Sequence, residues 1–260
     1  MGRDTAEDIP SGGLVDAHTH LDDPVYDVDR DAVVARARAA GVTGFAICAA
    51  EPARWPVAVR IARRFGAFVF AGVHPWAVAR TTDLDAALAT LRTLDLDGIG
   101  ELGLDRLHAS DELAWRRQRD VCRAQLALAR ELDLPVVLHA VRAFPELLAI
   151  CECDGLPRRG GMVHAWSGPP DQVARAARLG LYVSFGTLVA NERARKARLS
   201  VPIVDRERLL VETDCPWGAE RGEPADLPGV IAVAAAIRGE DPQTLGDACG
   251  RNFREMVRGR

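Results

Sequence analysis

The sequence is short of lysine, of long apolar runs, of paired cysteines and of excess positive charge, and each shortage excludes something. Lysine and arginine total 33, yet Lys196 is the only lysine, so a reaction that needs a lysine beside the substrate has one candidate. No stretch approaches the roughly 20 apolar residues that cross a bilayer, and no membrane partner is expected. Residues 1–13 lack a basic start and an apolar segment; they end in Pro10-Ser11-Gly12-Gly13 and read as a flexible lead-in rather than a secretory leader. The six cysteines stand at 48, 122, 151, 153, 215 and 249 with no Cys-x-x-Cys pair, and Cys151-Glu152-Cys153 is too tight for a zinc knuckle. That usage fits a reducing, cytoplasmic setting. The formal net charge of −4 argues against binding duplex DNA mainly by charge, so contact with nucleic acid would need a local basic groove or a metal facing the phosphate.

What is present is an alternation of short apolar strands with helical stretches. Strands are expected at 14–17, 43–48, 67–73, 97–101, 135–139, 161–164, 181–185 and 208–212. Helical spacing of apolar residues falls at 29–40, 52–65, 84–94, 111–132, 144–153, 170–179 and 192–199. Pro52 and Pro170 suit early helix positions, and Gly41 and Gly180 suit helix stops. Two further helices, 229–238 and 242–257, follow a Gly/Pro-rich loop at 215–228. Eight strands alternating with helices predict an α/β fold, a (β/α)8 TIM barrel with C-terminal helices, with a doubly wound open sheet as the alternative. No composition shift marks a second domain, so residues 14–260 read as one TIM-barrel hydrolase domain.

The reactive residues collect at strand ends. His18 and His20 follow the first strand, and simple alternation puts them on one face with Asp16. His74 follows the third strand, Glu101 the fourth, His139 the fifth, His164 the sixth, and Glu212 and Asp214 the eighth. In a parallel barrel all of these ends open on one face, where active sites sit. His18, His20, Glu101, His139, His164 and Asp214 exceed the needs of one tetrahedral ion and suit two divalent ions bridged by a carboxylate. Such a pair can hold the attacking and leaving oxygens of a phosphoryl displacement, so a hydrolase follows more naturally than a redox enzyme. His74 reads as a substrate or phosphate contact, as an extra ligand, or as a turn-stabilising residue. Asp105 either orients a ligand or caps its turn. Arg142 either meets a phosphate or sits in solvent. The run 193–198 is either a nucleic-acid patch or a solvated helix face, and Trp76, Trp166 and Trp217 either stack on bases or cover the core. His108 reads as a loop residue.

Asp16-Ala17-His18-Thr19-His20, Gly72-Val73-His74-Pro75, Gly100-Glu101-Leu102-Gly103-Leu104-Asp105, Pro135-Val136-Val137-Leu138-His139, His164-Ala165-Trp166-Ser167-Gly168 and Glu212-Thr213-Asp214-Cys215-Pro216 occur in that order. Arg221-Gly222-Glu223-Pro224 and Asn252-Phe253 complete the pattern. In these motifs the chain resembles the TatD family of metal-dependent deoxyribonucleases, within the amidohydrolase-type barrels. The resemblance implies two divalent ions (Mg²⁺, Mn²⁺ or Zn²⁺), one on His18, His20, Glu101 and Asp214 and the other on Glu101, His139 and His164. It also implies Glu101 as the bridge, Asp214 as the base that receives a proton from water, and His74 near the scissile phosphate. The implied activity is cleavage of DNA, often from a 3′ end on single strands. The chain departs from the family pattern at Val141, Arg106, Trp166 and Cys215, and none of these removes a ligand. An amidohydrolase or lactonase acting on a small molecule is the alternative, as is a nuclease-like subunit of a larger nucleic-acid-processing or defence system. Because Glu101 holds the fourth-strand place, a carboxylated-lysine bridge is disfavoured. A monomer or weak oligomer is expected.

Overall fold

Eight short apolar segments pair side by side in chain order. They are β1 (Leu14–Thr19), β2 (Val42–Ala49), β3 (Phe68–Ala71), β4 (Gly98–Asp105), β5 (Val136–Val141), β6 (Gly161–Val163), β7 (Tyr182–Phe185) and β8 (Leu209–Val211). All neighbours are parallel, in the order β1 to β8. The computed structural model describes residues 12–217 and 221–259, so most of the expected lead-in, residues 1–11, lies outside the described residues. The sheet curls into a nearly closed barrel in which the end of β8 returns to β1. There Asp214 N donates to His18 O at 3.0 Å, and His20 N donates to Cys215 O at 2.8 Å. The expected barrel is therefore the observed fold, and the open sheet is not.

The helices follow the expected order: α1 (Arg30–Ala39), α2 (Trp55–Phe65), α3 (Leu84–Thr93), α4 (Glu112–Leu132), α5 (Phe144–Asp154), α6 (Val173–Arg178), α7 (Arg195–Ser200), α8 (Leu227–Arg238) and α9 (Pro242–Arg258). Asp83, Asp111 and Asp241 cap α3, α4 and α9, each accepting a bond from a first-turn N–H. The expected helix at 52–65 begins only at Trp55, with Pro56 rather than Pro52 in its first turn. The stretch 170–179 splits into a 3-10 turn, Pro170–Gln172, followed by α6. No described helix is long and apolar enough to cross a membrane.

Two apolar layers hold the barrel. The larger one lies between strands and helices and includes Phe45, Trp55, Leu102, Leu126, Leu147 and Phe185. The inner one draws residues from seven strands, among them Val15, Ala17, Cys48, Phe70, Val137, Met162 and Leu210, together with Phe253, Met256 and Val257 of α9. Among the described residues α9 is the only helix contributing to that layer, and it plugs the barrel floor. The opposite end is left to the polar strand termini.

Candidate metal centre

His18, inside β1, and His20, just past its end, converge on the barrel mouth, though not through simple alternation. Val15 and Ala17 pack into the barrel interior, and the β1–β2 register breaks between Asp16 and Thr19. This irregularity turns His18 and His20 toward the cluster while Asp16 turns to β8. Asp16 accepts hydrogen bonds from Thr213 N at 2.9 Å and Thr213 Oγ1 at 2.6 Å, which hold the Thr213-Asp214 corner against β1. The expectation that Asp16 shares the histidines' face is thus corrected, because a bulge shifts the period-two pattern by one residue.

Glu101 sits between two glycines that let β4 approach its neighbour. A Cβ on Gly100 would come 2.6 Å from Val137 O, and one on Gly103 would come 2.1 Å from His139 O. Both glycines also have positive φ, 145° and 147°, which side-chain-bearing residues rarely adopt. The strand continues to Asp105, four residues beyond the expected end. Two buried glutamines on α4 hold the loops in place. Gln118 bonds both Asp105 N and O, at 2.9 and 3.0 Å, and Gln125 bonds both Val73 N and O, at 2.7 and 3.1 Å. These glutamines were not singled out in the sequence. Their only signal is that they interrupt the apolar stripe of α4 that carries Trp115, Cys122 and Leu126.

The functional side chains fall into two sets that share Glu101. In the first, His18 Nε2 is 3.3 Å from His20 Nε2, 3.2 Å from Glu101 Oε2 and 3.7 Å from Asp214 Oδ1. His20 Nε2 lies 3.7 Å from Glu101 Oε2 and 3.4 Å from Asp214 Oδ1. Spacings of 3.2–3.7 Å are those expected of donors around one ion with bonds of about 2.0–2.2 Å. In the second set, Glu101 Oε1 is 3.0 Å from His74 Nε2 and 2.7 Å from both His139 Nδ1 and His164 Nε2. His139 Nδ1 and His164 Nε2 are 2.9 Å apart. His18 Nδ1, His139 Nε2 and His164 Nδ1 are buried without a hydrogen bond. Imidazoles and carboxylates grouped in this way are suited to divalent metal ions, and the donor set fits them.

Charges within the cluster support that chemistry. Burial pushes the Glu101 carboxyl up, but electrostatic coupling to the surrounding imidazoles, His164 foremost, and the His139 hydrogen bond outweigh it and hold Glu101 well below the usual range. Burial likewise opposes ionisation of Asp214, yet the His20 hydrogen bond and nearby imidazoles lower it. Both carboxyls are therefore anionic donors at neutral pH. Burial would lower His20, but Asp214 and Glu101 raise it to about 9. His74 is pushed down to about 4, chiefly by burial. Its Nδ1 accepts from Trp76 N at 3.1 Å, so the proton of the neutral ring sits on Nε2, facing Glu101.

The remaining candidates divide. Asp105 is buried, and its Oδ2 lies 3.5 Å from His139 Nε2 and 2.6 Å from His108 Nδ1, so it both orients a cluster histidine and caps a turn through Leu107 N. Glu212 is fully buried; it accepts from Ala165 N and faces His164 Nδ1 at 3.4 Å. A cavity of about 620 Å³ opens over the cluster, lined by Arg54, Trp76, His108 and Trp217 as well as the cluster residues other than His18. Arg142 is exposed, at φ 54°, and is not among the lining residues. Trp166 is buried in the outer core with its Nε1 on Ser200 Oγ, which leaves Trp76 and Trp217 as the cavity aromatics. Arg193, Arg195 and Lys196 are exposed on the loop into α7 and its first turn. Arg54, paired with buried Asp22 at 3.5 Å, is a cavity group that no motif marks, and His108, expected as a loop residue, lies on the same cavity wall.

A family model described as TatD related DNase matches residues 15–258. The protein named 3′-5′ ssDNA/RNA exonuclease TatD from Citrobacter koseri is 32% identical over 259 residues, covering 94% of this chain and 98% of that one. The protein of the same name from Salmonella typhimurium is 33% identical over 266 residues, covering 94% and 100%. Among solved structures, YJJV, a TatD homolog from Escherichia coli K12, superimposes with a TM-score of 0.85 at 29% identity, covering 94% of this chain and 97% of that one.

Proposed function

The chain belongs to the TatD related DNase family, a family of phosphodiester hydrolases, and on that premise we propose that it removes nucleotides from 3′ ends of single-stranded DNA with two divalent cations. The observation that carries this reading is the division of Glu101: Oε2 faces the His18, His20 and Asp214 set, while Oε1 faces His139, His164 and His74. One cation would be held by His18, His20, Glu101 and Asp214, and the other by Glu101, His139 and His164, with Mg²⁺, Mn²⁺ and Zn²⁺ the candidates. Such cations supply positive charge opposite a phosphate and acidify water.

The chain's own residues supply the rest. The Asp214 side chain is 27% exposed, against 0% for His18, 11% for His20 and 3% for Glu101. It is the member of its set most open to the cavity, and so the one placed to take a proton from the attacking water. His74, neutral with its proton on Nε2, stands beside Glu101 and next to Trp76 on the cavity wall, where the scissile phosphate enters. Arg54 adds a cation to that wall. Trp76 and Trp217 offer faces for unpaired bases, which suits a strand end better than a duplex on a protein of net charge −4. Lys196 is exposed on α7, so it offers no carboxylated-lysine bridge, and the lactonase alternative loses its usual device. We take residues 14–260 as one catalytic domain, acting in the cytoplasm as a monomer or weak oligomer.

The test is cleavage of single-stranded DNA labelled at the 3′ or the 5′ end, with Mg²⁺, Mn²⁺ or Zn²⁺, beside an Asp214→Asn variant. The wild type should shorten the strand from its 3′ end, and the variant should lose about 10²–10⁴ of the rate. A wild type inactive with all three metals but active on a lactone panel would overturn the reading.

A further inference from the structure

Five imidazoles line the cavity: His20, His74, His108, His139 and His164. Four place a ring nitrogen within 3.7 Å of a Glu101 oxygen. His108 has no such contact among the described residues. Instead its Nδ1 lies 2.6 Å from Asp105 Oδ2. That carboxylate cannot swing away. Its Oδ1 accepts from Leu107 N at 2.8 Å, and its backbone is clamped at both N and O by Gln118. A fixed carboxylate acceptor places the Nδ1 proton of His108 in the hydrogen bond and leaves Nε2 to act outward. The ring is about half exposed, at 52%, on the wall of the same cavity. On its other side His108 lines a second groove together with Asp111 and Arg117.

We propose that His108 is a catalytic residue of the phosphodiester cleavage: the general acid that protonates the departing 3′-oxygen. The inference rests on the nuclease reading above. A water oxygen bonds to phosphorus as the P–O3′ bond breaks, and one water proton passes to the Asp214 carboxylate. The electron pair of the broken bond stays on the 3′-oxygen, which takes a proton from His108 Nε2. The products are a nucleoside 5′-monophosphate and a strand shortened by one residue with a free 3′-hydroxyl. Asp214 then returns its proton to solvent, and His108 regains one. A sugar alkoxide is a poor leaving group, so this transfer is worth about 10²–10⁴ in rate. Asp105 is the positioning residue: it touches no reacting atom, and it holds the ring in the tautomer and direction that the transfer needs.

The test compares wild type with His108→Gln on two single strands of one sequence. One is ordinary DNA; the other carries sulfur in place of the leaving 3′-oxygen of its last linkage. A thiolate departs without a proton, so the variant should lose about 10²–10⁴ in kcat on the ordinary strand and less than about threefold on the sulfur strand. KM for the ordinary strand should stay within about threefold, and Asp105→Asn should show the same pattern with a smaller loss. Equal losses on both strands would make His108 a structural or binding residue and overturn the proposal. No loss on the ordinary strand would overturn it too, and either result leaves the nuclease reading standing. A wild type that cleaves neither strand would bring down both.

Discussion

At the floor of the barrel the Phe253 ring of α9 meets Phe68 edge-on at 5.1 Å and Phe70 at 6.3 Å, and all three are buried. At the rim, five histidine nitrogens converge on the two oxygens of Glu101. Three left-handed non-glycine residues, Arg142, Ala165 and Asp214, also lie there, each just past the end of a strand. The floor is locally consistent: apolar groups fill a closed space in ordinary conformations. The rim gathers polar groups whose mutual spacing makes sense only around a ligand, and it holds backbone shapes that cost of order 1–3 kcal/mol each. Stability and chemistry thus sit at opposite ends of one sheet, with the strands between them as a rigid spacer.

The sharpest way to break this comparison is to damage the floor and read the rim. Phe253→Ala removes a fully buried ring from the plug, and a loss of about 3–5 kcal/mol is expected in urea denaturation. Activity per folded molecule, measured well below the melting temperature, should stay within about twofold of wild type. Asp214→Asn should do the reverse, lowering cleavage by about 10²–10⁴ while the melting temperature in chelator stays the same or rises, since asparagine tolerates the left-handed backbone at φ 56°. A floor variant that stays folded yet loses cleavage would show that the two ends are coupled through the strands.

Sequence periodicity reached the floor and most of the rim for different reasons. Strand and helix order follows from apolar spacing, which is a local property. The cluster residues are legible because a parallel barrel sends every strand end to one face, so chemistry-bearing residues there must meet. What escaped depends on pairs distant in the chain or on local register. The β1 bulge redirects Asp16 toward Thr213, nearly two hundred positions away. Arg142 follows β5 as expected, but its backbone turns it out to solvent. Trp166 belongs to the core because Ser200 waits for its indole N–H. His108 was invisible as a functional group because β4 was expected to end at Glu101, whereas it runs on to Asp105 and carries the next turn up to the cavity.

Gln118 tests a place where the two ends are not separable. It lies on the core side of α4, yet among the described residues its side chain bonds the backbone N and O of Asp105 alone. Gln118→Met keeps the volume and leaves both groups buried and unpaired, so a destabilisation of about 1–3 kcal/mol is expected. Because Asp105 orients His139 and His108, cleavage should also fall, by about 10- to 100-fold. Matched urea and kinetic titrations would check this. Loss of stability alone would mean that Asp105 keeps its direction without the glutamine, and the rim would then be more self-sufficient than its hydrogen bonds indicate.

The smallest expected effect belongs to the floor, and it carries a pH signature. Asp241 caps α9, accepting bonds from Thr244 N and Thr244 Oγ1, both at 2.8 Å. The Thr244 backbone bond is the main cause of its depressed pKa, helped by the hydroxyl. A carboxyl lowered on folding contributes stability that is fully present above its unfolded pKa, about 3.9, and that fades as pH falls through the lower folded value. Asp241→Ala should therefore melt below wild type at pH 7, and the two melting curves should draw together as the pH drops below about 4. Asp241→Asn keeps an acceptor at the cap but has no proton to gain, so its own curve should lack this acid-dependent step. A gap between wild type and Asp241→Ala that held constant down to acid pH would mean that the cap acts through its shape alone. The start of the plug helix would then owe nothing to the charge of Asp241.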